Sequence, residues 1–369
     1  MMIVRADTFQ SLAVQVAERI QREIDAKTWV GWLPGERVVA ESLQVSRKTI
    51  RKALGILQRD GVVRTAHGLG HEIVGGTHPT PPADIATREL TVGLLAPESL
   101  ERLRPFTALW VDALRSLLIE KGIRFTVFSG RRYFSLRPDK ALSRLVNQNP
   151  QCCWLLAHSN ERVQRWFQDQ HVPCVIAGSN HHGLDLPSVD LDYFAVCRHA
   201  AGVILRHGHR RLGFLTRLSH RAGDLESEAG FSAGARQASY SGVTPHLMRH
   251  DGTVAGVNRT LARVFDLAAP PTALLVANPA YYLTAVTFLA QRRLSVPQDV
   301  SLISRDDDPF LAYLNPTPAR YSCNATTFAK RVMQSLLPQI KGEPLPHATF
   351  RIEPTYVAGP SLATVGSSP

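Results

Sequence analysis

The sequence predicts an α/β protein in which a small N-terminal helical domain precedes a large domain of two doubly wound, parallel-sheet lobes. Three observations predict this fold class. Residues 8–74 show helical periodicity followed by two short β-like runs. Residues 75–89 are rich in Gly, Pro and Thr and have no apolar period, which indicates a linker. From residue 90 onward, buried-strand runs alternate with helical stretches, which is typical of parallel sheets covered on both faces.

The length of the chain fits this division. Its 369 residues are too many for one ordinary domain, and 44% of them are hydrophobic, which is normal for a protein with sizeable cores. We therefore expect an N-terminal domain at 1–74, a linker at 75–89 and a large domain at 90–369. A region as long as the last one commonly divides into two lobes.

The charge of the chain is compatible with a polyanionic partner but does not locate it. The sequence has 42 basic and 31 acidic residues, a formal charge of +11. Residues 1–75 hold only eleven of the basic and eight of the acidic side chains. A nucleic-acid interface must therefore be inferred from the local placement of charge.

The cysteines indicate a reducing compartment. Their number is odd and no C-x-x-C pair occurs, so we expect small buried thiols and no metal site. They are Cys152, Cys153, Cys174, Cys197 and Cys323. The N-terminus has no apolar run long enough for a signal peptide, and no stretch reaches 18 consecutive apolar residues. We expect a cytoplasmic protein.

The N-terminal domain reads as three helices and a β-hairpin. Leu12, Val16, Ile20 and Ile24 recur at a spacing of four. The predicted elements are helices at 8–27, 36–43 and 46–59, and strands at 62–65 and 71–74 around the turn His67-Gly68-Leu69-Gly70.

The third helix carries a concentrated basic surface. Ser46 is a good N-cap, and one apolar face follows it. That face consists of Ile50, Ala53, Leu54 and Leu57, whereas Arg47, Lys48, Arg51 and Lys52 lie largely off it. Long cationic donors on one helix suit phosphates and guanine edges in a major groove. The charge pattern alone would equally fit an ordinary solvated helix with a basic face.

The stretch around this helix resembles the winged helix-turn-helix of GntR-type regulators. The matching residues are Leu33-Pro34-Gly35-Glu36-Arg37, the run from Val45 to Leu54, Gly61, and Gly68-Leu69-Gly70. The resemblance covers about residues 8–74, with Gly35 in place of the usual Ser. It implies DNA contacts from Arg37, Arg47, Thr49, Arg51 and a wing around His67 and Gly68. Ser46, Lys48 and Lys52 complete our candidate set.

Seven apolar runs of the large domain read as buried strands. They are residues 91–96, 124–129, 152–157, 173–178, 211–216, 272–277 and 300–304. Helical stretches lie between them, among them 107–121, 194–207 and 281–292. Such lobes place the carboxyl ends of their strands around one crevice, where doubly wound sheets bind ligands.

The large domain resembles the periplasmic-binding-protein-like sensor of LacI/GalR-type repressors. Three blocks carry the resemblance: 189–216, 272–310, which includes VPQDVSLISRDD, and 328–344. It implies that Asn278 and Asp306 face the crevice, although both also fit turn or capping chemistry.

The chain departs from that pattern at several positions. Ser227, with Glu228 beside it, stands where the resembled sensors usually carry Arg, Gly178 stands in place of an Asp, and Pro279 follows Asn278. We keep Asn278, Asp306, Ser227, Glu228 and Arg131 as candidate ligand residues. Phe106 and Trp110 suit an aromatic stacking wall, but core packing of their helix is the preferred interpretation.

These features together predict a ligand-responsive DNA-binding transcription regulator, most simply a repressor controlled by a carbohydrate or related small molecule. The expected partners are double-stranded operator DNA, the effector and a second copy of the chain. An activator of the same architecture is the alternative. A transport-type solute-binding protein would need an export signal and no DNA head. We find no phosphate loop, nucleophile elbow or metal spacing, so we expect no enzyme, cofactor or metal.

Overall fold

The computed structural model describes residues 12–26, 28–29, 31–43, 45–66, 70–74, 90–236, 240–343 and 349–366. The chain forms two compact units, Met1–Thr87 and Arg88–Pro369. The predicted linker 75–89 and the wing residues His67 and Gly68 lie outside the described residues. The predicted domain bounds and wing contacts therefore stay predictions.

The smaller unit contains the predicted helices and hairpin. Its elements are α1 (Leu12–Asp25), α2 (Glu36–Ser42), α3 (Arg47–Arg59), β1 (Val63–Ala66) and β2 (Gly70–Ile73). The two strands pair antiparallel, with Val63 opposite Ile73. Ile20 of α1 and Ile50 of α3 are fully buried in one core, which the amphipathic faces of the helices create.

The larger unit alternates strands and helices. Its strands are β3 (Thr91–Ala96), β4 (Arg124–Ser129), β5 (Cys152–Ala157), β6 (Cys174–Ala177), β7 (Ser188–Leu191), β8 (Arg211–Arg217), β9 (Thr244–His250), β10 (Ala273–Val276), β11 (Ser301–Ser304), β12 (Ala319–Ser322), β13 (Thr349–Ile352) and β14 (Thr355–Val357). Its helices are α4 (Pro105–Glu120), α5 (Asp139–Asn147), α6 (Glu161–Asp169), α7 (Tyr193–Arg206), α8 (Ala222–Ala235), α9 (Val254–Phe265), α10 (Pro279–Gln291) and α11 (Ala325–Ile340).

Two six-stranded sheets form two lobes. The first lobe has the strand order β13-β7-β6-β5-β3-β4 and is entirely parallel. The second has the order β14-β12-β11-β10-β8-β9, in which only β14 runs antiparallel to its neighbour. The predicted two-lobed, doubly wound architecture is confirmed.

The chain passes between the lobes three times. It leaves the first lobe between β7 and α7, returns between β12 and α11, and leaves again between β13 and β14. Helix α11 packs on α4 and contributes Phe328 and Val332 to the core of the first lobe. Three short connections between two rigid lobes are suited to act as a hinge.

All seven strands predicted in this unit are present, with bounds within a few residues. Strands β7, β9, β12, β13 and β14 were not predicted, because they are short or polar. Strand β9 reads TPHLMRH, and its Pro245 is tolerated because β9 lies at a sheet edge. The five cysteines are free thiols, and all but Cys323 are buried. Within the described residues, none of the helices is long and apolar enough to span a membrane.

Candidate nucleic-acid interface and ligand cavity

Helix α3 separates its residues as the periodicity predicts. The four residues of its predicted apolar face are buried: Ile50, Ala53, Leu54 and Leu57. The four cationic side chains of its predicted basic surface are exposed: Arg47, Lys48, Arg51 and Lys52. The helix therefore packs on the domain core through one face and presents the other to a partner.

The start of α3 is fixed by its cap. Ser46 Oγ accepts a hydrogen bond from the Thr49 amide at 3.2 Å and lies 2.8 Å from Thr49 Oγ1. Both hydroxyl groups thus have a local structural role, and capping of this kind typically contributes about 1 kcal/mol. Contacts of Ser46 and Thr49 with DNA stay predictions.

Glu36 of α2 partly neutralises the basic face. Its Oε2 lies 2.8 Å from Arg51 Nε and 3.8 Å from Arg47 Nη2. Arg37 pairs with Glu41 at 3.4 Å, with its side chain 79% exposed. Exposed pairs of this kind contribute at most about 1 kcal/mol, so these arginines can exchange a carboxylate for a phosphate at little cost.

A cavity lies between the two lobes of the larger unit, at the carboxyl ends of the central strands. Four lining residues follow strand ends: His158 after β5, Ser179 after β6, Tyr193 after β7 and Asp306 after β11. The first turns of α4 and α8 also line it. This is the position at which doubly wound lobes bind ligands.

A buried guanidinium organises the second-lobe side of the cavity. Arg305 is 2% exposed, and its Nε and Nη2 donate to Asp306 at 3.1 Å each. Its Nη1 donates to Ser227 Oγ at 2.8 Å, and its guanidinium carbon lies 4.3 Å from the centre of the Tyr193 ring. Burial opposes the charged form, but the charge and hydrogen bonds of Asp306, together with Tyr193 and Cys197, outweigh it and raise the pKa of Arg305.

Arg104 of the first lobe contacts Asp306 and also Asp224, both of the second lobe. Its Nη1 donates to Asp306 Oδ2 at 3.1 Å, and its Nη2 lies 3.6 Å from Asp224 Oδ1. Burial works against the ionised Asp224, yet Arg104 and Arg305 lower its pKa overall. Two arginines and two aspartates therefore form a compensated network between the lobes.

His158 and Arg221 form a second polar group. His158 Nε2 lies 3.1 Å from Thr107 Oγ1, and its Nδ1 lies 3.4 Å from Arg221 Nη1. Arginine can only donate, so Nδ1 is the acceptor and Nε2 carries the proton. Burial, with the charges of Arg221 and Arg104, lowers the pKa of His158 to about 3, and the ring is neutral at pH 7.

A third group links the lobes beside the cavity. Asp190 accepts from Ser179 Oγ at 2.7 Å and from the Leu191 amide at 2.8 Å, and burial raises its pKa to about 6. Ser179 Oγ also lies 3.0 Å from Glu226 of the second lobe. Arg351 of the first lobe donates to both oxygens of Glu226, at 2.6 and 2.8 Å.

Of the five candidate ligand residues, Asp306 lines the cavity and the others do not. Asn278 caps α10, where its Oδ1 accepts from the Ala280 amide at 2.8 Å. Ser227 is fully buried behind the cavity as the partner of Arg305.

Glu228 forms a two-point pair with Arg249. Arg131 pairs with Glu98 beyond the edge strand β4, with its side chain 83% exposed. The proposed ligand site therefore does not include Glu228 or Arg131.

Sequence reasoning missed most of the charged lining. Arg104, His158, Arg221 and Asp224 each stand alone between periodic runs, and only the topology brings them together. In the run Arg305 to Pro309, the sequence predicts that Asp306 faces the crevice, with loop chemistry as the alternative, but nothing in it singles out Arg305. For Phe106 and Trp110, core packing is observed, while stacking on a ligand stays a prediction. They line the cavity and pack on Phe328, with ring centres 5.6 and 5.3 Å away.

Both units match known families. Residues 12–73 match the model for bacterial regulatory proteins of the gntR family, and residues 201–362 match the model for a periplasmic binding protein-like domain. An arabinose metabolism transcriptional repressor of Geobacillus stearothermophilus is 24% identical, over 75% of this chain and 76% of its own. The transcriptional repressor PurR of Aliivibrio salmonicida is 23% identical, over 74% of this chain and 81% of its own.

Solved structures share the fold of the larger unit. A putative LacI transcriptional regulator from Bacillus cereus has a TM-score of 0.65 at 19% identity and covers 73% of this chain and 97% of its own. A LacI family regulator from Enterococcus faecium with bound ribose has a TM-score of 0.61 at 16% identity and covers 74% of this chain and 99% of its own.

A head of the gntR regulatory type joined to a two-lobed domain with charged side chains in its cleft defines the class: a ligand-responsive, DNA-binding transcription regulator. Within that class, the chain joins a segment that matches the gntR family of bacterial regulatory proteins to a segment that matches a periplasmic binding protein-like domain. Its matched relatives are regulators rather than enzymes.

Proposed function

We propose that this protein is a cytoplasmic repressor that holds operator DNA through α3 and releases it when a sugar or related small molecule occupies the cleft. One observation carries the proposal: the same chain has an exposed cationic face on α3 and, between two lobes, a cavity whose lining includes charged side chains. Relatives named as repressors support the direction of control. The ribose held by one structural neighbour supports a carbohydrate-like effector.

On the DNA side, Arg47 and Arg51 are the donors that we assign to base edges or phosphates. Their exposure and their shared partner Glu36 leave them able to bind nucleic acid. Lys48 and Lys52 add phosphate contacts from the same exposed surface. Binding of this kind weakens steeply with salt, because each neutralised phosphate releases a counterion.

On the ligand side, the three crossings between the lobes act as the hinge. The lobes already contact each other through Arg104–Asp306 and Arg351–Glu226. A ligand that joins or displaces these contacts changes the relative placement of the lobes. The resulting coupling to DNA is typically about 1–3 kcal/mol and is reciprocal.

We also propose a homodimer on a palindromic operator, because two-fold proteins of this class read paired half-sites. Analytical ultracentrifugation should show a dimer at micromolar concentration. A monomer both free and on DNA would refute the dimer while leaving DNA recognition by a single head intact.

The test of repression begins with selection of operator sequences from random duplex DNA by the full-length chain. The selected site is then placed across a promoter for transcription in vitro. We expect fewer transcripts with wild-type protein and normal levels with Arg51→Ala. More transcripts with wild-type protein would contradict repression, and no selected sequence would contradict DNA recognition.

The effector is sought by thermal unfolding of the full-length chain against sugars, sugar acids and sugar phosphates. Ligand binding to the folded state raises the midpoint by mass action. A compound that raises the midpoint should also restore transcription from the repressed promoter. A stabilising compound that leaves transcription repressed would contradict control by the cleft.

A further inference from the structure

The carboxylates of the second lobe in the cleft already have cationic partners. Asp306 Oδ1 accepts from Arg305, and its Oδ2 accepts from both Arg305 and Arg104. Asp224 lies within 4 Å of the same two arginines. A neutral polyol that relied on Asp306 would have to share its oxygens with two guanidinium groups. These acids therefore act as internal counterions.

Arg221 differs from the other two arginines of the cleft. It lines the cavity, yet none of the ion pairs found within 4 Å among the described residues includes it. Its guanidinium contact is Nδ1 of His158, 3.4 Å away. Burial, and then the charge of Arg104, lowers the pKa of Arg221, while the more distant Asp224 opposes that shift. Among the described residues, Arg221 thus has no carboxylate within 4 Å, unlike Arg104 and Arg305.

The surroundings of Arg221 hold that cation in place. His158 stays neutral and is fixed from its other side by Thr107. The backbone of His158 has a φ of 51°, a left-handed conformation that is costly for a residue other than glycine. Strain of this kind persists where the surrounding structure over-determines a functional side chain.

Two helix N-termini face the same space. Helices α4 and α8 start at Pro105 and Ala222, both in the cavity lining. Neither helix has a side-chain cap, because Arg104 and Arg221 occupy the capping positions. The amide groups and dipole of a helix start favour negative charge. The start of α4 has no acid in its first turn and adds to the potential of Arg221, whereas α8 already has Asp224 in its first turn.

We propose that the effector is a small organic anion whose carboxylate or phosphate group binds the guanidinium of Arg221 beside His158. The inference rests on the proposed function, since it names the chemical class of that same effector. An acidic group there would supply the charge-assisted, two-point partner that Arg221 lacks. The remainder of the molecule would lie against Phe106 and Trp110.

The test uses inorganic phosphate and acetate as probes of the full-length chain, each titrated by calorimetry at constant ionic strength. We expect saturable binding of at least one anion to wild-type protein. Arg221→Gln should weaken that binding at least tenfold, and Arg221→Lys should weaken it less because it keeps the charge. The anion that binds better tells a phosphate-bearing effector from a carboxylate-bearing one.

Two matched controls separate the cleft from other basic surfaces. Arg137→Gln removes an exposed arginine elsewhere on the larger unit, and Arg51→Ala removes one from α3. Both should leave the saturable site unchanged. Equal binding by wild type and Arg221→Gln, or no saturable binding of either anion by the wild type, would overturn the inference.

The proposed function is tested separately. Arg221→Gln should bind selected operator DNA as the wild type does, since Arg221 lies in the larger unit. Loss of the anion site with operator binding intact is the expected pattern. Operator binding by a wild-type chain without an anion site would overturn this inference alone.

Discussion

Arg47 and Arg51 of α3 and Arg305 of the cleft place the same side chain in opposite environments. Arg47 and Arg51 are exposed and share one acid, Glu36, in pairs that water screens. Arg305 is buried and has two acids, a serine and an aromatic ring around it. The exposed pairs can be exchanged for DNA, whereas the buried network cannot be broken without leaving charge uncompensated. Availability for binding is therefore set by burial and pairing more than by residue type.

The largest effect should come from breaking the buried network. Arg305→Met leaves Asp306 and Asp224 with Arg104 alone, and losing one partner of a buried pair costs about 3–5 kcal/mol. Denaturant unfolding of the full-length chain measures the loss. Arg292→Met, which removes an exposed partner of Asp266, should cost less than about 1 kcal/mol. Equal losses of unfolding free energy for the two variants would contradict the predicted difference between buried and exposed pairs.

Asp190 should make the stability of the folded state fall as pH rises, whereas a salt-bridged acid makes it rise. Burial raises its pKa from an ordinary 3.8 to about 6, so the folded state binds the proton more tightly. Its ionisation therefore lowers stability as pH rises through that window, by up to about 3 kcal/mol at pH 7. Asp190→Asn should be more stable than wild type at pH 7, and the difference should shrink toward pH 4. A difference that grew toward pH 4 would refute the raised pKa.

The exposed face of α3 should affect DNA binding without affecting stability. Arg51→Ala should weaken operator binding by about 1–3 kcal/mol if Arg51 reads a base edge. Its free energy of unfolding should change by less than about 0.5 kcal/mol. Glu36→Gln is the matched control, because it frees Arg47 and Arg51 and should not weaken binding. Gel-shift titrations in which both variants behave like wild type would remove α3 from the interface.

The smallest effect is expected at the rim of the cleft. Arg351→Gln breaks the pair with Glu226 across the lobes, but the arginine side chain is 39% exposed. We expect a loss of stability of about 0.5 kcal/mol. Chemical denaturation measures this loss. The comparison is with Arg249→Gln, which breaks a pair within the second lobe. A loss above about 2 kcal/mol would show that this rim pair behaves like the buried network.

The sequence predicted most of the fold, because buried strands and amphipathic helices leave periodic patterns. It predicted the exposed face of α3 for the same reason: Ile50 is buried, whereas the adjacent Arg51 is exposed. The cleft could not be predicted in this manner. Arg104 and Asp306 are 202 positions apart, and nothing local to either indicates that they meet. The short edge strands escaped prediction because a few polar residues carry no periodicity.

The most direct test of ligand-controlled DNA binding is the operator affinity of wild type, Arg51→Ala and Arg221→Gln, each with and without the effector found by thermal unfolding. We predict that the effector weakens wild-type binding, and that Arg51→Ala binds less tightly in both states. Arg221→Gln should bind the operator normally and lose the response. A full response from Arg221→Gln, or full affinity from Arg51→Ala, would contradict the assignment of the two functions to these two regions.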